Sequence, residues 1–159
     1  MDEYLRLINI VKDLRAENGC PWDREQTHKS LKKPCIEEAA EVVAGINIYT
    51  ETGDYSNMKE ELGDLLLQVV MNAIIAEEEG LFTMEDVCKD INDKLIRRHP
   101  HVFGDVIANS GDEALSSWNS VKEKEKASKN ASLEKEYLLK AFDESKELIE
   151  VARKRKMEK

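Results

Sequence analysis

The chain has 159 residues, enough for one domain with a real core, and its 33 acidic against 24 basic side chains leave a formal net charge of -9. That balance argues against a general binder of nucleic acid or of anionic membranes, because phosphates need a positive field, while leaving room for a phosphate ligand bridged by metal ions. Three cysteines, Cys20, Cys35 and Cys88, form no C-x-x-C pair and indicate neither a disulfide framework nor a zinc site.

Residues 2–17 carry Leu5, Ile8, Val11 and Leu14 on one face, with Leu7 and Ile10 widening the stripe, which predicts an amphipathic helix. Asn18-Gly19-Cys20-Pro21-Trp22-Asp23 stops it, since Gly after Asn suits a C-terminal cap and Pro follows closely. Gln26 to Leu31 reads as a short turn of helix, and Pro34 suits the first turn of the next helix, where its missing N–H costs nothing.

That next helix, Lys33 to Ile48, carries Glu37, Glu38 and Glu41 on one side at i,i+3 and i,i+4 spacings. Ile36, Ala39, Ala40, Val42, Val43 and Ile46 flank the acidic stripe, which predicts carboxylates at the edge of a core. Thr52-Gly53-Asp54 breaks the chain, and Lys59 to Ala76 then repeats the theme. Glu61, Asp64, Gln68 and Asn72 form a ladder along one face, while nearly every other position from Leu62 is apolar. The short connection predicts antiparallel neighbours.

Thr83-Met84-Glu85-Asp86 resembles a capping box with Asp in place of Glu or Gln, and Val87, Ile91 and Leu95 mark the buried face behind it. This helix runs into Lys94-Leu95-Ile96-Arg97-Arg98-His99-Pro100-His101, where Pro100 ends it. A loop through Gly104, Asp105 and Gly111 leads to a helix over about 112–127, with Leu115, Trp118 and Val121 in register. Residues 132–159 read as a charged helical extension, solvated or facing a partner. No strand alternation and no internal repeat is present. The longest apolar run, Leu65 to Ala76, is too short to span a bilayer, and the opening Met-Asp-Glu lacks the features of a signal peptide. The expectation is a soluble, cytoplasmic protein.

Burying carboxylates without partners costs several kcal/mol each, in rough terms, so a chain that lines two apolar helices with them has a cation to put between them. Glu38 and Glu41 on one helix and Glu61 and Asp64 on the other converge, if the helices pack side by side, on a volume suited to a hard divalent cation. Mg²⁺ is the expected ion, with Mn²⁺ as a substitute. A carboxylate-bridged di-iron bundle would need Glu-x-x-His on two helices, and only Glu25 and His28 have that spacing. Lys94, Arg97 and Arg98 present a cationic cluster able to hold phosphate oxygens, although the same cations would serve as partners of a helix's negative end. Trp22 and Trp118 would stack on a base or fill a core, and Lys122 would reach a phosphate or stand solvated.

Several motifs in order now carry a resemblance over residues 14–126. They are Cys20-Pro21-Trp22-Asp23 with Gln26-Thr27-His28 and Ser30-Leu31, Glu37-Glu38-x-x-Glu41, Glu61-Leu62-Gly63-Asp64-Leu65-Leu66, the run from Lys94 to Gly104, and Trp118 with Lys122. Together they resemble the MazG family of nucleoside triphosphate pyrophosphohydrolases. The resemblance implies an all-α fold with an antiparallel four-helix core that pairs as a homodimer or a higher homo-oligomer. It also implies hydrolysis of an NTP or dNTP to the monophosphate and pyrophosphate. Carried over position by position, it makes Glu38, Glu41, Glu61 and Asp64 the Mg²⁺ ligands and Glu37 the group that orients or deprotonates the attacking water. Lys94, Arg97, Arg98 and Trp118 would bind the nucleotide, with Lys94 and the arginines offsetting charge on the leaving group.

The implied organisation is a catalytic domain over 1–127 and a charged helical extension over 128–159. In place of the family's aromatic and aliphatic lead-in before the paired glutamates stands Pro34-Cys35-Ile36. The competing class is a non-catalytic helical protein whose acidic cluster holds a structural or sensing ion and which binds nucleotides without turnover.

Overall fold

Capping and glycine chemistry set where the helices begin and end. The Asp2 carboxylate accepts the Tyr4 N–H at 3.1 Å and opens α1, Glu3–Arg15. Pro21 stands in the first turn of the short α2, Pro21–Arg24. The long α3, Lys32–Thr52, ends on Gly53, whose φ of 79° is left-handed and whose N–H bonds the Tyr49 carbonyl. Then follow α4, Ser56–Glu78, α5, Met84–Arg98, α6, Pro100–Phe103, α7, Gly111–Ala127, and α8, Ala131–Met157. The computed structural model describes residues 2–127 and 131–158, and no strand occurs among them. The protein is all-α. Its residues cluster into two compact units, Met1–Met84 with Asp143–Lys159, and Glu85–Phe142.

In the first unit α3 and α4 form an antiparallel hairpin whose backbones nearly touch at Gly45. A β-carbon there would sit 2.7 Å from Met58 Cα, so only glycine permits this approach. The contact fixes the register. One turn back from Gly45 along α3 is Glu41, and one turn on from Met58 along α4 is Glu61. Two turns in each direction reach Glu38 and Asp64.

The apolar core lies further along α4, where Val70, Met71, Ala73, Ile74, Ile75 and Ala76 are buried together with Val11, Leu31 and Met84. Each of the larger side chains contributes about 1.5–3 kcal/mol by leaving water. Arg15 ties α1 to this end. Its Nε and Nη2 donate to the two Glu78 oxygens at 2.8 and 2.6 Å, and Nη1 donates to the carbonyls of Asp23 and Gln26.

Several expectations change. The helical turn expected at Gln26–Leu31 forms earlier, as α2. At Thr27 and Ser30, hydroxyls bond reciprocally to backbone N–H groups at 3.0 and 3.2 Å, which holds 27–31 as the lead-in to α3. Pro100 ends α5 as expected, and it also opens the short α6. The polar ladder of α4 also faces the hairpin interior: Glu61 and Gln68 are buried, whereas apolar Leu62, Leu66 and Val69 are exposed. Across the hairpin Val43 and Ile46 of α3 are exposed as well, so the acidic stripe is screened more by helix pairing than by an apolar surround. In the second unit, the expected buried face of α5 is only partly covered, with Ile91 and Leu95 exposed.

Candidate functional site

The register set by Gly45 brings acidic side chains of two helices together. Glu38, Glu61 and Asp64 each offer a carboxylate oxygen, and these atoms lie within 4.8 Å of one another. Glu61 is buried and accepts the Asn57 side-chain N–H at 3.0 Å, while Asp64 stands at the exposed edge. Burial pushes the Glu38 carboxyl up, and the neighbouring charges of Glu41, Asp64 and Glu61 push the same way, with Lys156 opposing them. Three converging hard oxygen donors, with Glu38 held toward its protonated form by burial and by its acidic neighbours, are a donor set short of positive charge. These residues fit a divalent cation such as Mg²⁺.

Of the four expected ligands, three converge and Glu41 is turned aside. Its Oε1 accepts from Lys156 Nζ at 2.8 Å. Glu37 is buried, with Oε2 accepting from Arg155 Nη2 at 2.7 Å, while Oε1 has no hydrogen bond and lies 3.8 Å from Lys33 Nζ. Sequence reasoning missed Arg155 and Lys156. Their signal was the run Arg153-Lys154-Arg155-Lys156, the densest cationic stretch of an extension otherwise read as solvated.

The lower part of the α4 ladder is structural. Asn72 Oδ1 lies 2.9 Å from His28 Nδ1, its Nδ2 donates to the Gln68 carbonyl at 2.9 Å, and Cys35 Sγ is 3.8 Å away. Burial raises the Cys35 thiol, which keeps it protonated. Trp22, on α2, is 65% exposed and so is not a core residue of this chain.

The expected cationic residues belong to the second unit. Arg97 and Arg98 share Glu125, with contacts of 2.8 Å from Arg97 Nε and 2.7 Å from Arg98 Nη2. The paired arginines hold the Glu125 carboxyl below the usual carboxylate range. The Arg98 guanidinium lies 5.1 Å from the Trp118 ring centre, and the His99 ring meets the same indole edge-on at 4.7 Å. Lys94, Lys122 and Trp118 are half-buried. Glu125 was not singled out from the sequence, since a Glu among alternating lysines reads as surface charge.

The chain matches the MazG nucleotide pyrophosphohydrolase domain over residues 26–103. It is 51% identical over 129 residues to the nucleoside triphosphate pyrophosphohydrolase/pyrophosphatase MazG of Thermotoga maritima, covering 81% of this chain and 48% of that protein. It is 45% identical over 130 residues to the nucleoside triphosphate pyrophosphohydrolase of Escherichia coli K12, with 81% and 48% covered. It is also 46% identical over 131 residues to the uncharacterized protein YabN of Bacillus subtilis, with 82% and 26% covered. The chain thus spans half or less of the length of these relatives. Among solved structures it is similar to a mazG-related protein from Thermotoga maritima, with a TM-score of 0.59 and 25% identity, covering 75% of this chain and 98% of that one.

Proposed function

The chain belongs to the MazG nucleotide pyrophosphohydrolase family, a family of hydrolases, and from that membership we propose that it hydrolyses nucleoside triphosphates at the α-phosphorus. The products are the nucleoside monophosphate and pyrophosphate, from NTP or dNTP, in upkeep of the nucleotide pool. The observation that carries this reading is the convergence of Glu38, Glu61 and Asp64 from two helices inside the matched segment. Glu38, Glu61 and Asp64, with Glu41 once it leaves Lys156, would hold Mg²⁺, for which Mn²⁺ can substitute. When bound, the ion supplies charge neutralisation and a water of lowered pKa.

The chain's own groups do the rest. Glu37 accepts the proton of the attacking water as its oxygen bonds to the α-phosphorus and the bond from that phosphorus to the bridging oxygen breaks. Lys94, Arg97 and Arg98 offset the charge that collects on the departing pyrophosphate. Trp118, already stacked with Arg98, and the exposed Trp22 offer ring faces to the base, and Lys122 a further cation to the phosphates. Residues 1–127 form the catalytic domain in this reading and 128–159 an extension to it.

A second copy completes the assembly. Val43, Ile46, Leu62, Leu66 and Val69 are exposed apolar side chains of one helical hairpin, and pairing two such faces as a homodimer removes them from water. No helix is long and apolar enough to cross a membrane, and a net charge of -9 suits a small-molecule substrate better than nucleic acid.

The test is product analysis by anion-exchange chromatography after incubation with each common NTP and dNTP, with Mg²⁺ and with chelator. Monophosphate and pyrophosphate formed only with metal is the expected result. Diphosphate and orthophosphate would place the attack at the γ-phosphorus and refute the mechanism. Binding without turnover would make the protein a nucleotide sensor.

A further inference from the structure

The extension does something at the acidic site. From Asp143 to Met157, α8 lies in the same unit as the α3–α4 hairpin and meets α3 through long charged side chains. Arg155 Nη2 reaches Glu37 Oε2 at 2.7 Å, Lys156 Nζ reaches Glu41 Oε1 at 2.8 Å, and Lys32 Nζ lies 3.0 Å from both oxygens of Glu144. Between these pairs the helices do not close. A cleft of about 340 Å³ remains, lined by Ile36, Ala40 and Ala44 of α3 and by Ile149 and Ala152 of α8. The attachment is therefore electrostatic, and it is made to the two carboxylates that stand outside the converged trio.

Resting on the metal-site reading above, we propose that the C-terminal part of α8 is an autoinhibitory latch on the metal centre. Arg155 and Lys156 act as built-in counter-ions of Glu37 and Glu41 and must be displaced before a divalent cation gains its full ligand set. An ammonium group on Glu41 and a dication beside Glu38 repel each other, so the two states compete. The Arg155 and Lys156 side chains are 45% and 55% exposed, which keeps both ion pairs in reach of water and easily exchanged. A pair of this kind shifts an equilibrium by up to about fivefold, which makes a latch that yields to metal. Released, the same cations are free to meet the phosphates that arrive with the ion.

The experiment uses the full chain and Mn²⁺ alone. Titration calorimetry compares the wild type with the double variant Arg155→Gln/Lys156→Gln, and with Lys146→Gln, which alters a cation of the same helix that pairs with Asp143 at 3.5 Å. The double variant is expected to bind Mn²⁺ more tightly, by up to about 25-fold from two pairs of this strength, and the control to match the wild type. Hydrogen exchange of residues 143–157 in the wild type should accelerate when Mn²⁺ saturates the site. Equal or weaker binding by the double variant, an equal gain in the control, or unchanged exchange would overturn the latch and leave the metal centre standing. Absence of Mn²⁺ binding in every protein would refute the metal centre and the latch together.

Discussion

Glu38→Gln offers a direct test of the acidic cluster, because it removes one charge from a site with a surplus while keeping the shape of the side chain. The oxygens of Glu38, Glu61 and Asp64 lie within 4.8 Å of one another. Coulomb's law at that separation gives about 1 kcal/mol per charged pair in water and about 3.5 kcal/mol at an effective dielectric constant of about 20. Lys156 offsets part of this. A net relief of about 1–3 kcal/mol in metal-free protein at pH 8 follows, or a Tm higher by roughly 2–10 °C for a chain of this size.

The sign with pH is fixed by the raised Glu38 carboxyl. The native state holds that proton more readily than the unfolded chain, so wild-type stability falls as pH rises from the ordinary value of 4.5 through the raised one. The advantage of the variant is therefore full above the raised value and vanishes below 4.5, where both side chains are neutral. Metal reverses the ranking: at about 100 times its dissociation constant an ion stabilises the wild type by about 2.7 kcal/mol, and the variant gains much less. Scanning calorimetry at pH 4 and pH 8, with chelator and with Mn²⁺, reads all four states. A metal-free variant less stable than wild type at pH 8 would refute the charge-surplus argument.

Arg15→Ala should cost about 2–4 kcal/mol in urea denaturation, because it removes the guanidinium that serves the Gln26 carbonyl and the Glu78 carboxylate and adds to the backbone donors of the Asp23 carbonyl. The Arg15 guanidinium depresses the Glu78 carboxyl, so this stabilisation is present above the carboxylate range and is lost as pH falls through the depressed value. A cost independent of pH would assign Arg15 a packing role only. Gly45→Ala should lower stability by about 1–3 kcal/mol, since its β-carbon meets Met58 backbone at 2.7 Å, and weaken Mn²⁺ binding by shifting the helix register; retained affinity would detach the ligands from that contact. Trp118→Ala should raise KM for nucleotide with less change in kcat, since it removes a ring that holds Arg98 at 5.1 Å. Unchanged kinetic constants would make the indole a packing element alone.

The helix boundaries were legible because they rest on local chemistry. Pro21, Pro34, Gly53 and Pro100 act on the backbone of their own neighbours, and α3, α4, α5 and α7 begin and end within a few residues of where that chemistry puts them. The convergence of Glu38, Glu61 and Asp64 was legible because acidic residues at i,i+3 on antiparallel neighbours share one interface, although Lys156 draws Glu41 away from it. The extension was not. What Arg155 and Lys156 touch is settled by long flexible side chains reaching another helix more than a hundred residues earlier, and no periodicity encodes that. Glu125 escaped for the same reason, as its meaning comes from Arg97 and Arg98 on a different helix. The sequence pattern also placed the apolar residues of α4 in a core without saying which were covered, because coverage of Leu62 and Leu66 depends on what lies outside the hairpin.

That arrangement explains how a chain tolerates a cluster that repels itself. The hairpin is divided along its length. Toward the α3–α4 turn it carries Gly45, Glu41, Glu61, Glu38 and Asp64, with apolar side chains facing out. Toward the far end it carries Val70, Met71, Ile74 and Ile75 in the core, with Arg15 clamping Glu78. The far end supplies the stability and the near end spends some of it on a site that, in the proposed reading, gains its missing charge from an ion. Because the two ends share the same two helices, the core holds the register that the carboxylates need even while they repel. Loss of metal should therefore loosen the near end first, seen as faster hydrogen exchange around Gly45 and Glu61 than around Val70 and Ile74.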